Sequence, residues 1–94
     1  MISNKVLVAF AAQHQDASAP LQLWRKTVQA GLFLNFAALK KQFRAVDKVG
    51  DLCVFDIGGN KYRLIAFIHF RAQICYVKQV LTHAEYDTGK WRQL

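Results

Sequence analysis

"VFDIGGNKYRLIAFIHF", residues 54–70, decides how this chain folds. Two runs of apolar, β-branched and aromatic residues flank Gly58, Gly59 and Asn60, a triplet that supplies the positive φ angles of a tight hairpin. A phosphate-cradling loop would need a helix after the glycines, and here a strand-forming run follows, so the pair reads as a turn. Within residues 61–70, alternation separates Tyr62, Leu64, Ala66, Ile68 and Phe70 from Lys61, Arg63, Ile65, Phe67 and His69. The first set is wholly apolar or aromatic and predicts the core face. The second puts Lys61 and Arg63 on the opposite face, near the hairpin. "QICYVKQVL", residues 73–81, reads as the next strand, and a strict period of two places Tyr76, Lys78 and Val80 on one face. Its register against the preceding strand is not fixed by the sequence.

Upstream of Gly50 the rhythm is helical. Residues 4–14 align Val6, Leu7, Phe10, Ala11 and His14, with Ser3 as the cap. Ser18 is then placed to cap a second helix, with Pro20 in its first turn and Leu21, Trp24, Val28 and Leu32 as its apolar stripe. Gly31 frays its end. "FAALKKQF", residues 36–43, aligns Phe36, Leu39 and Phe43 and turns Lys40 and Lys41 to water. The expectation is an α+β domain spanning residues 1–94. Its N-terminal helices pack on one face of a small, mainly antiparallel sheet of three strands, and the other face is uncovered.

Composition narrows the function. A hydrophobic fraction of 53% is too high for a disordered chain. Thirteen Lys and Arg against six Asp and Glu give a net charge of +7, which suits a polyanion or an acidic protein as partner. The longest apolar run, "LIAFI" at 64–68, is far short of a membrane span. The N-terminal "MISNKVLVAFAA" meets polar residues too soon for a signal peptide and reads as an amphipathic segment. Cys53 and Cys75 have no CxxC partner and no paired histidines, so buried thiols in a reducing cytoplasm are expected, with no metal.

"LTHAEYD", residues 81–87, ends the last strand with unusual chemical density. The plain reading is a helix start, with Thr82 or His83 at the cap and Glu85 and Asp87 complementing the dipole. The sharper reading is an active site. The choice turns on a resemblance: residues 54–87 closely resemble the HigB toxins of bacterial type II toxin–antitoxin modules, in the strand ending at Gly-Asn, the "YRL" that follows and the closing "THAEYD". "NFAALKKQF" with "AVDKVGD" resembles, more loosely, the segment that leads those toxins into their sheet.

The resemblance implies a RelE-like fold, with a short N-terminal strand at residues 1–3. It implies a cofactor-free endoribonuclease that cuts messenger RNA, usually during translation on the ribosome, and a cognate antitoxin of helix-turn-helix type. Position by position, it assigns the site to Arg63, His83, Glu85 and Tyr86. Such chemistry needs a base for the 2′-hydroxyl, cations for the phosphorane and an acid for the departing 5′-oxygen. Arg63 suits a pair of phosphate oxygens, and His83 or Glu85 suits proton transfer, their roles left open. Tyr86 suits stacking or hydrogen bonding. Lys61, Lys78, Lys40, Lys41 and Arg44 are the candidate RNA-backbone contacts.

Blander readings stand beside these. A strand arginine is ordinarily a surface residue, and a histidine beside a cap is ordinarily structural. His14 and His69 read as packing or incidental exposure, and Trp24 as core. Trp91 is left to stack on a base, cover the sheet edge or do neither. The rival function is a non-catalytic basic module that binds RNA or DNA. A third is docking on an acidic protein. A helix-turn-helix reader fits poorly, because the basic residues are not gathered on one short helix.

Overall fold

The structure, a computed structural model, describes residues 4–59 and 61–93. Ser3 as a cap, residues 1–3 as a strand, and Asn60 in the turn therefore lie outside the described residues. Helix α1 spans Lys5–Gln13, a 3-10 turn follows at Gln15–Ala17, α2 spans Ser18–Ala30 and α3 spans Phe36–Gln42. Four strands come next: β1 Asp47–Val49, β2 Leu52–Ile57, β3 Tyr62–His69 and β4 Ile74–Thr82. The short helix α4, His83–Asp87, and a second 3-10 turn at Lys90–Gln93 complete the order.

The strands pair antiparallel in the order β1-β2-β3-β4. The expected three-stranded sheet thus gains β1, a three-residue strand too short and too polar to show a period in the sequence. Gly58 and Gly59 carry φ of 64° and 63°, the left-handed conformation that closes the β2–β3 hairpin at no steric cost. The hairpin register sets Asp56 opposite Arg63 and Ile57 opposite Tyr62.

The expected α+β layering holds. Leu7, Leu21, Trp24 and Leu39 come from the three helices and meet Phe55, Leu64, Ala66 and Cys75 from the sheet in one buried cluster. Trp24 and Phe43 both approach Phe55 edge-on, at 5.3 and 5.1 Å between ring centroids. Both cysteines are free thiols in this core, and burial pushes Cys75 up to about 12.

Local details depart from the sequence reading. Ser18 is the first residue of α2 rather than its cap, because the preceding 3-10 turn runs straight into the helix. Leu32 falls beyond the end of α2 and is exposed, so the apolar stripe stops at Val28. The larger correction is in β4. Ile65 pairs with Gln79 while Ala66 pairs with Val77, which leaves Lys78 as an extra residue in a β-bulge. Strict alternation fails there. Tyr76 is exposed, Val80 is buried in the core, and the two do not share a face.

The second face of the sheet is also not bare. Trp91, only 3% exposed, packs with Val54 and Ile65, and Leu52, Leu81 and Tyr86 surround them. The chain after β4 therefore folds back over half of the outer face. The half beyond Ile65, carrying Phe67 and Tyr76, is left outside this second cluster.

Candidate active site

The last strand turns into α4 through a capping box. Thr82 Oγ1 accepts from the Glu85 N–H at 3.2 Å, and Glu85 Oε1 accepts from the Thr82 N–H at 3.0 Å. The His83 N–H donates to the Lys61 carbonyl at 3.1 Å, pinning the start of α4 to the mouth of the hairpin. These local bonds put the residues of "THAEYD" at the end of the sheet where β3 begins. The plain reading of this stretch is thus correct as structure, and it does not exclude the sharper one.

Arg63 lies beneath α4 on the outer face, with its side chain only 11% exposed. Its Nε is 3.1 Å from Asp56 Oδ1, its Nη1 donates to the Tyr62 carbonyl at 3.3 Å, and its Cζ sits 5.3 Å from the centre of the Tyr86 ring. Asp56 thus grips one edge of the guanidinium while Tyr86 covers its plane. Tyr86 is itself held by Trp91, whose ring stacks at 5.0 Å and whose Nε1–H donates to the Tyr86 carbonyl at 3.0 Å. The ion pair and the covering ring together hold the guanidinium in place.

His83 is half exposed, and its Nδ1 is 3.0 Å from Asp87 Oδ2, one helical turn on. A carboxylate oxygen accepts, so Nδ1 is the donor in this contact and Nε2 takes no part in it. Glu85 is differently placed, because its carboxylate is engaged in the capping box.

The remaining candidates divide. Lys61 is at the site but pairs with Asp16 at 3.3 Å. Asp16 also accepts from the Tyr62 hydroxyl, and chiefly this bond, with help from Lys61, holds its carboxyl below the ordinary range. Lys78 is on the outer face at the bulge, with Nζ 6.0 Å from the centre of the Tyr76 ring. Lys40, Lys41 and Arg44 are not brought to Arg63: α3 packs through Leu39 into the core on the other side of the sheet. Lys40 moreover donates to the Val46 carbonyl at 2.7 Å. His14 stacks on Phe10 at 4.5 Å, and His69 Nδ1 accepts from the Ala72 N–H at 3.1 Å, so both have structural work.

Sequence reasoning missed Asp56 and the pairing of Asp87 with His83, and left the role of Trp91 open. Asp87 was within reach, since an acid four residues after His83 faces it on a helix. Asp56 needed the hairpin register, and Trp91 needed the fold. A hollow of about 430 Å³ adjoins the site between β4 and the C-terminal turn, lined by Gln79, Leu81, Glu85, Thr88, Lys90 and Trp91. Among the described residues no cluster of His, Cys, Asp and Glu could hold a metal ion, and no helix is long and apolar enough to cross a membrane.

A small antiparallel sheet with helices packed on one face is the α+β arrangement of RelE-like proteins. The matches in sequence narrow this further. Residues 17–89 match the HigB toxin family, described as the RelE-like toxic component of a toxin–antitoxin system, and the chain belongs to that family. It is 33% identical over 90 residues to the mRNA interferase toxin HigB of Escherichia coli K12, covering 93% of this chain and 86% of that protein. The mRNA interferase HigB of Shigella flexneri matches to the same extent. That of Escherichia coli O6:H1 is 50% identical over 34 residues, 36% of this chain and 33% of its own length.

Proposed function

We infer that this chain is an mRNA interferase, an endoribonuclease acting as the toxin of a toxin–antitoxin pair. One observation carries the reading: Arg63, clamped by Asp56 and roofed by Tyr86, stands at the same sheet end as a histidine whose Nδ1 is tied to Asp87. In this reading His83 Nε2 takes the proton of the 2′-hydroxyl, and the 2′-oxygen attacks the adjacent phosphorus. The bond to the 5′-oxygen breaks, leaving a 2′,3′-cyclic phosphate and a 5′-hydroxyl. The 5′-oxygen takes its proton from solvent or from the Tyr86 hydroxyl. Arg63 neutralises the phosphorane, which builds charge on the non-bridging oxygens. Glu85 acts by capping α4 and so aiming His83 and Tyr86. No cofactor is called for.

The substrate is message engaged on a cytoplasmic ribosome, and the antitoxin is a separate helix-turn-helix protein. The family resemblance carries both of these readings, and the net charge of +7 suits an RNA substrate and an acidic surface on a partner. The test is inducible expression of wild type, Arg63→Ala and His83→Gln, mapping message 5′ ends and scoring growth. New cuts within coding regions that carry 5′-hydroxyls and vanish in both variants are expected. Folded variants that keep cutting would remove these residues from the site. A folded wild type that never cuts would leave the non-catalytic binding module in its place.

A further inference from the structure

The half of the outer face beyond Ile65 carries groups that the cleavage chemistry does not use. Phe67 and Tyr76 stand directly opposite each other on β3 and β4, their rings nearly parallel at 15° with centroids 6.1 Å apart. Tyr76 is 48% exposed. Lys78 lies beside it, its ammonium 6.0 Å from the ring centre, because the bulge adds a residue at that point. Trp91 buries the apolar residues near Arg63, and these two rings are outside that cover.

Charge points to the occupant. Residues 57–84 contain no Asp or Glu and hold Lys61, Arg63, Arg71 and Lys78, of which Lys61 pairs with Asp16 and Arg63 with Asp56 from outside that stretch. Trp91 covers Ile65, so the route from the clamp runs along β4, where Leu81 stands opposite Arg63, Gln79 opposite Ile65, and Tyr76 opposite Phe67. Gln79 and Leu81 line the hollow beside α4. Phe67 comes four residues after Arg63 on β3, roughly 13 Å of strand, a length that a few nucleotides of single strand cover. Aromatic rings on a sheet face with a cation at their side are what a single strand uses, bases stacking on the rings and phosphates meeting the cation.

We propose that Phe67, Tyr76 and Lys78 form a second binding subsite, a base-stacking platform for the single-stranded RNA that flanks the phosphate held by Arg63. The platform rests on the ribonuclease reading and deepens it: it sets where the strand lies on the enzyme. Because stacking accepts any base, it supplies affinity and register and leaves sequence choice to the groups nearer the clamp.

The test measures binding of a short, fully 2′-O-methylated single-stranded RNA, which cannot be cleaved, by fluorescence anisotropy. Tyr76→Ala should weaken binding about tenfold and Tyr76→Phe should retain it, since one stacked base contributes that order of affinity. Lys78→Gln should lower the salt slope by about 0.7, the value for one phosphate contact on a single strand. Cleavage of an unmodified RNA on ribosomes is run in parallel, with Arg63→Ala as reference. If Tyr76→Ala and Lys78→Gln, both folded by circular dichroism, bind like wild type while wild type cuts and Arg63→Ala does not, the platform is wrong and the ribonuclease stands. If Tyr76→Ala binds RNA normally but no longer pairs with the antitoxin, the face belongs to that protein and the platform is again wrong. If wild type itself never cuts, the ribonuclease reading fails independently of the platform.

Discussion

The sheet has two faces built by different rules. On one, three helices bring Leu7, Leu21, Trp24 and Leu39 onto Phe55 and Leu64, and the interior they form is apolar and closed. On the other, a five-residue helix and a tryptophan cover only Val54 and Ile65, and beside that small cluster lie Arg63, Asp56 and Tyr86. The first face contributes most of the buried apolar area and so most of the stability. The second has just enough cover to hold a guanidinium still. A strand that must keep apolar residues on both sides at Leu64 and Ile65, yet present a cation at 63, is a scaffold and a binding surface at once. The contrast teaches that stability and chemistry here are separated by a single pleat.

Substitutions one residue apart test this separation, and the largest effect should come from the closed face. Leu64 is fully buried, and Leu64→Ala should cost roughly 2–5 kcal/mol of unfolding free energy through lost burial and a residual cavity. Urea denaturation reads it, and a loss below about 1 kcal/mol would mean that the interior is not close-packed there. Arg63→Lys, one residue away, should lower the urea midpoint less than Leu64→Ala does, since lysine keeps a charge for Asp56 while losing the stacked fit under Tyr86. It should lower cleavage by about 10²- to 10³-fold, because lysine lacks the fork that meets Asp56 on one edge and a phosphate on another. A large stability loss without an activity loss would reverse the assignment of the two faces.

A smaller effect belongs to the hinge between them. Thr82→Ala removes the hydroxyl that caps α4 and should cost about 1 kcal/mol. It should also reduce cleavage, since His83 and Tyr86 are aimed by that helix; cleavage equal to wild type would show that α4 orders itself only on RNA. The smallest effect is expected at Asp16, which links the helical layer to the hairpin through Tyr62 and Lys61. Its lowered pKa means that its stabilisation is present above the ordinary value of 3.8 and is lost as pH falls through the lowered one. Being exposed, it is well screened. Asp16→Asn should therefore be slightly less stable than wild type at neutral pH and equal to it in strong acid, and a gap that persists in acid would assign the effect to packing.

Much of the fold around the candidate site was legible because its signals are local. The capping residues and the order of helices and strands all follow from contacts within a few positions along the chain. Arg63, His83, Glu85 and Tyr86 were assigned by a family resemblance, which marks positions but not partners. The fold pairs Arg63 with Asp56 and His83 with Asp87, and ties Glu85 into the cap. Lys40, Lys41 and Arg44 read as RNA-backbone contacts from their charge, and the fold sets α3 and the residues after it on the other side of the sheet from Arg63. One signal was present and unread. Val77 and Val80 are both apolar and three apart, so both can face inward only if the strand contains an extra residue.

The sequence by itself determined the α+β class, the tight turn at Gly58 and Gly59, the apolar face of β3 and the capped start of α4. Each depends on backbone sterics or side-chain period, which act over one to four residues. Only the tertiary structure decided the bulge at Lys78, the pairing of Asp56 with Arg63, and the return of Trp91 onto Val54 and Ile65. Those are contacts between segments far apart in the chain. Which of them form depends on how the strands register and which apolar surfaces remain to be covered once the main core is closed, and no local rule specifies either.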